Sequence, residues 1–202
     1  MKESIYVMAG LIAWASIAHA SSVTVQGGYL HTPNSNYGDS GTVTVRSDLS
    51  VTDSKLGLLS AGGELGYHGK ATHGYYGRVS GVSALGTVSY TPATPWKVKP
   101  YILGGLGWSW WDFAESKELR DVEGITIDLG DSLAEKVALG LTWPIRGNWS
   151  GNIEWSYFHT AIPKKAWKDG LPADVGGNDD RSGTVRLGWE ETNLVVGLVY
   201  SF

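Results

Sequence analysis

From Val23 onward, apolar and polar side chains alternate with a period of two, the repeat of a strand whose two faces meet different surroundings. Between Trp149 and Phe158, one face carries Trp149, Gly151, Ile153, Trp155 and Tyr157, and the other Ser150, Asn152, Glu154 and Ser156. Val137, Leu139, Leu141 and Trp143 alternate in the same way with Lys136, Ala138, Gly140 and Thr142. Val43, Val45, Leu49 and Val51 alternate with Thr44, Arg46, Asp48 and Ser50. The 3.6-residue repeat of an amphipathic helix has almost no support. The pattern predicts an all-β chain with strands at Val23 to His31, Thr42 to Val51, Leu56 to His68, Tyr75 to Tyr90, Lys97 to Trp111, Leu133 to Trp143, Trp149 to Ala161 and Gly183 to Phe202. Neither face of Tyr75 to Tyr90 is cleanly apolar.

Alternation alone would also suit a soluble sandwich, so the surroundings of the apolar face need a second argument. The last strand places Leu194, Val196, Leu198, Tyr200 and Phe202 on one face. This ending resembles the terminal-strand signature of bacterial outer-membrane barrels, in which Leu198, Tyr200 and Phe202 would form the signal read by the barrel assembly machinery. Aromatic residues also gather near strand ends, among them Trp96, Trp143 and Trp149, where amphipathic rings settle at membrane interfaces. Connection lengths agree. Thr52 to Lys55, Thr91 to Trp96 and Pro144 to Asn148 are short and rich in turn formers, whereas Asp112 to Ser132 and Ile162 to Ser182 are long and polar. Thr32 to Gly41 and Gly69 to Gly74 complete the long-loop side. An open sheet edge in hydrocarbon would leave backbone groups unpaired at several kcal/mol each, so the ring must close. The expected fold is an eight-stranded antiparallel transmembrane β-barrel of outer-membrane type, spanning residues 21–202.

Residues 1–20 read as a signal peptide: Lys2, a short apolar run from Ile5 to Ile17, and Ala18-His19-Ala20 ahead of a cut before Ser21. The chain of 202 residues has no cysteine, which removes disulfide and thiolate chemistry, and its net charge of -4 gives no basic footprint for nucleic acid. Its 28 glycines lack the strand-to-helix setting of a phosphate loop, so no cofactor is expected; Gly62-Gly63 and Gly104-Gly105 fit close strand packing instead.

The run Lys99-Pro100-Tyr101-Ile102-Leu103-Gly104-Gly105-Leu106-Gly107-Trp108 resembles the Lys/Arg-Pro-Tyr-x-Gly-x-Gly strand of the OmpW family of small outer-membrane barrels. Asp131-Ser132, Arg146-Gly147-Asn148-Trp149 and Trp155-Ser156-Tyr157 extend the likeness, which covers Lys97 to Phe202. Lys-Pro-Tyr followed by glycines also occurs in OmpA-like barrels, and the first two outer loops are short for OmpW. The resemblance implies a narrow, partly hydrophobic lumen associated with passage of small hydrophobic compounds.

With the apolar faces turned to lipid, Arg46, Asp48, Glu64, Lys99, Lys136 and Glu154 face the lumen. Eight strands enclose little more than side chains, so these charges are expected to pair. Three functions follow: a narrow channel for small hydrophobic solutes; a structural or adhesive barrel with a salt-bridged, plugged lumen; or a lipid A-modifying hydrolase. The last would rest on His159-Thr160, which resembles the His-Ser pair of lipid A deacylases but has Thr for the nucleophile and no evident acid. No catalytic role is therefore expected. His31, His68 and His73 lack ligand spacing and read as isolated interfacial histidines, not a metal site. Asp169, Asp174 and Asn178-Asp179-Asp180 form an acidic loop able to hold a divalent cation near lipopolysaccharide, or simply solvated. The expected location is the outer membrane, with its lipid, lipopolysaccharide and the assembly machinery as partners.

Overall fold

The computed structural model describes residues 21–33, 38–73, 77–116, 125–168, 171–172 and 184–202. The signal-peptide reading of 1–20 and the acidic positions Asp169, Asp174 and Asn178 to Asp180 lie outside these. The chain forms β1 (Ser22–His31), β2 (Ser40–Ser54), β3 (Gly57–His73), β4 (Gly77–Pro92), β5 (Lys99–Glu115), β6 (Ile125–Leu129), β7 (Asp131–Arg146), β8 (Trp149–Lys168), β9 (Leu171–Pro172) and β10 (Thr184–Ser201). All pairings are antiparallel. β6 and β7 are separated by Gly130 alone and both lie along β8, so they form one stave, while β9 is a short return on β8. Eight staves result. The ring shuts where β1 meets β10, from Ser22 opposite Ser201 to His31 opposite Thr192.

Strand number and order are those expected, but the strands run further at the long-loop end. β3 continues to His73, β5 to Glu115 and β8 to Lys168, and β6 lies within the stretch from Asp112 to Ser132 expected as loop. Alternation reports contact with lipid, and the ladder outlasts it because backbone pairing needs a partner strand rather than an apolar medium. At the opposite end the connections are tight. Gly147 turns β7 into β8 with φ of 56°, in the left-handed region that glycine enters without steric cost.

Val137, Leu139, Leu141, Trp155, Val196 and Leu198 point outward, each 43–58% exposed. A continuous apolar belt of this kind marks a lipid-facing surface. Tyr200 packs edge-on against Trp149 and Phe202, at centroid distances of 4.9 and 5.1 Å, forming an aromatic cluster at the turn end. Above the belt the outward row turns polar: Glu135 stands opposite His159, which stands opposite Glu190. β4, whose sides could not be told apart by pattern, turns Val79, Gly81, Ser83, Leu85 and Thr87 inward. Its ambiguity has a cause: Val79 and Leu85 belong to an apolar region of the lumen.

Candidate functional site: a lumen filled in two layers

The lower layer is ionic. Arg46 and Glu64 face each other across β2 and β3, and Lys136 and Glu154 enter from β7 and β8. Arg46 Nη1 donates to Glu154 Oε2 at 2.8 Å and its Nε to Asp48 Oδ2 at 3.1 Å, while Nη1 lies 3.8 Å from Glu64 Oε2. Lys136 Nζ reaches the Glu64 oxygens at 2.8 and 3.0 Å and Glu154 Oε1 at 2.8 Å. The Tyr101 hydroxyl donates to Glu154 Oε2 at 2.7 Å and accepts from Asn152 Nδ2 at 3.0 Å. Gln26 donates to Asn152 Oδ1 and accepts from Thr44 at 3.0 Å. The Arg46 guanidinium also sits 5.4 Å from the Tyr101 ring centroid. Gly140 makes room for that ring: a Cβ there would lie 2.2–2.4 Å from its atoms.

Every charge in this layer is at most 9% exposed. Stripping water from an ion costs several kcal/mol, which is recovered here because each carboxylate meets a cation and Glu154 meets both. The network therefore draws β2, β3, β5, β7 and β8 together across the bore.

The upper layer is aromatic. Leu85, Trp111, Phe113, Phe158, Ile162 and Trp189 belong to one buried cluster, with Trp111 5.0 Å from Trp189 and 6.5 Å from Phe158 between ring centroids. Gly81 faces Trp111, and a Cβ there would approach the indole to 2.6 Å. Between the layers lies His68, its ring 4.7 Å from Phe158 and 5.3 Å from Trp111. His68 Nδ1 is 2.7 Å from Glu191 Oε2, and its Nε2 is 3.0 Å from Ser83 Oγ. Trp189 Nε1 donates to the other Glu191 oxygen. A cavity of about 10 Å³, the volume one water needs, adjoins Ser83, His68, Glu64 and Lys136.

Five of the six residues expected in the lumen, Arg46, Asp48, Glu64, Lys136 and Glu154, meet in the ionic layer. Lys99 does not. It shares the inward parity of Tyr101 but lies at the turn end, half-buried, with its ammonium on the Thr94 carbonyl. Reading His68 as an isolated interfacial histidine is corrected: it is 4% exposed, inside the wall, on the face that also carries Glu64. His31 is exposed and bonded to Asp39 at 2.6 Å, and the side chain of His73 lies outside the described residues. Glu191 escaped the sequence reading, although the outward face of Leu194 and Val196 already implied that it pointed in. His159 and Thr160 stand on opposite faces of β8: His159 is outward, whereas Thr160 is fully buried and hydrogen-bonded to Ser109 at 3.0 Å and to the Leu133 carbonyl at 2.9 Å. Leu198 and Phe202 are exposed on the lipid side, with Tyr200 between them.

No protein-family model matches the chain, and no curated protein matches it in sequence. Solved structures do. The crystal structure of Neisserial surface protein A is 12% identical, with 90% of this chain and 96% of that one covered and a TM-score of 0.60. The outer membrane protein OprG from Pseudomonas aeruginosa is 14% identical over 91% of this chain and 97% of its own, with a TM-score of 0.55. The outer membrane enzyme PagL is 15% identical over 87% and 97%, with a TM-score of 0.51. At such identities the likeness concerns architecture, and it establishes this chain as a small closed antiparallel barrel of the outer-membrane type.

Proposed function

We propose that this is an outer-membrane barrel with a plugged lumen, acting as a structural or adhesive element that presents its long-loop end to the medium. The observation that carries this reading is the Arg46–Glu154–Lys136–Glu64 network, which ties opposite walls together across the bore, with the aromatic layer in series above it. Outer-membrane lipid and lipopolysaccharide would surround the belt, and the assembly machinery would read Leu198, Tyr200 and Phe202. Export would remove residues 1–20, so the mature protein would begin at Ser21.

Solute flux tests the plug. Liposomes carrying the purified barrel are expected to take up aliphatic and aromatic solutes no faster than empty liposomes, and the Arg46→Met/Glu154→Leu double variant to lose thermal stability without gaining conductance in planar bilayers. Uptake above the empty-liposome rate would overturn the reading.

One observation favours a second function, a narrow passage for small hydrophobic solutes. The upper lumen is lined by Trp111, Phe158 and Trp189, an apolar lining that suits such solutes and accords with the resemblance of Lys99 to Trp108 to the OmpW strand. In that case uptake would favour hydrophobic over polar solutes of equal size, and bulkier aromatics at Gly81 would slow it.

A further inference from the structure

Each of the three short turns sets a basic residue beside a large apolar one: Lys55-Leu56 between β2 and β3, Trp96-Lys97 between β4 and β5, and Ile145-Arg146 where β7 meets β8. All six are exposed. Leu56 at 79% and Trp96 at 65% stand with Phe202 at 71% as the most exposed large apolar side chains among the described residues, ahead of every member of the belt. The backbone holds them there. The Leu56 carbonyl accepts from Ala93 N–H at 2.9 Å and from the Tyr90 hydroxyl at 2.8 Å, and Leu56 N–H donates to Ser54 Oγ at 3.2 Å. In the next turn Lys99 ties down the Thr94 carbonyl, which leaves Lys97 as the outer cation.

Charge is sorted by end. The exposed charges on these turns are Lys55, Lys97 and Arg146 against Asp53, whereas at the long-loop end Asp39, Asp112, Asp131 and Glu135 outnumber Arg78 among the described residues. No ion pair among the described residues engages Lys55, Lys97 or Arg146. Each turn thus offers a free cation and, next to it, an apolar side chain held in the open. A bilayer border answers both, since the apolar group enters the edge of the acyl chains while the cation reaches a phosphate. An acidic polymer in water would meet only the cation and leave Leu56 and Trp96 wet.

We infer that the three turns form a collar of binding sites for anionic phospholipid headgroups. Leu56, Trp96 and Ile145 enter the acyl border, and Lys55, Lys97 and Arg146 contact phosphodiester oxygens, Arg146 with a planar fork and the lysines as point charges. The turns join different pairs of staves, so the collar grips the bilayer at three places around the ring and sets the barrel's depth and tilt. With the long-loop end facing the medium, the leaflet gripped is the periplasmic one. The inference rests on the barrel spanning a bilayer and is independent of whether the bore is plugged, which solute flux reads separately.

The test places the mature barrel in phosphatidylcholine vesicles, with folding of each variant verified by heat-modifiable gel mobility. Spin-labelled phosphatidylglycerol and phosphatidylcholine are compared by the fraction that electron paramagnetic resonance finds immobilised on the protein. Wild type is expected to favour the anionic lipid about threefold or more, and the preference to vanish in about 0.5 M sodium chloride. The triple variant Lys55→Gln, Lys97→Gln, Arg146→Gln is expected to show no preference, and Arg78→Gln, at the acidic end, to keep that of wild type. Leu56→Ser with Trp96→Ser is expected to weaken the preference while every charge stays. Equal immobilisation of the two lipids by wild type, or a triple variant as selective as wild type, would overturn the inference. So would an unselective wild type that cosediments with peptidoglycan through the same three cations, since the collar would then serve a polymer.

Discussion

The two layers of the lumen fill the same bore by opposite means. Below, Arg46, Glu64, Lys136 and Glu154 hold each other with directed contacts of 2.8–3.8 Å; above, Trp111, Phe158 and Trp189 fill space with rings 5.0–6.5 Å apart. An ionic layer is unforgiving because each member satisfies others, so removing one strands its partners. An aromatic layer fails more gradually, losing contact area and gaining a void. The difference teaches that burial alone does not tell how a barrel resists change. What matters is whether the buried groups need specific partners.

The sharpest way to break the comparison is Glu154→Ala, which leaves Arg46 and Lys136 short of a shared counter-ion and should cost about 3–5 kcal/mol in urea unfolding from lipid vesicles. Combining Arg46→Met with Glu154→Leu should cost less than the single change, because Lys136 keeps Glu64 as its counter-ion and Asp48, the most exposed member of the layer, is the charge that loses its cation. Phe158→Ala in the aromatic layer should cost about 3 kcal/mol by the same measurement, the low end for such truncations if neighbouring rings settle into the gap. Gly81→Ala should cost roughly 1–3 kcal/mol through collision with Trp111, visible as a changed near-ultraviolet tryptophan signal. The smallest effect is expected outside both layers, at the first hairpin. Tyr29 first and His31 second donate to Asp39, holding its carboxyl below the ordinary carboxylate range. A depressed carboxyl contributes fully above its unfolded value and loses that contribution as pH falls through the folded one. Acid titration by NMR should therefore loosen the His31–Asp39 contact only at strongly acidic pH, and Asp39→Asn should abolish the transition.

Parity along a strand is a local property, which is why Arg46, Glu64, Lys136 and Glu154 could be placed inside from sequence. Height is not. Lys99 has the inward parity yet sits at the end of the bore, because nothing in alternation reports depth. His68 and Glu191 are 123 positions apart and meet only through closure of the ring by β10, a contact that no strand shows by itself. β4 resisted reading because a lumen that is apolar on one level and charged on another gives an inward face of mixed character. The taller strands were missed for a related reason: above the belt, no lipid imposes a two-sided pattern.

The height of the wall is unequal. β1 ends opposite Thr192, yet β10 continues to Thr184 alongside β8, so that side rises roughly 25 Å further along the strand at about 3.3 Å per residue. The barrel is thus shaped like a scoop, with a low sill at β1 and β2 and a parapet at β8 and β10. With the long-loop end facing the medium as proposed, antibodies or proteases arriving there would grip the parapet well clear of the bilayer and could shave it without breaching the embedded ring.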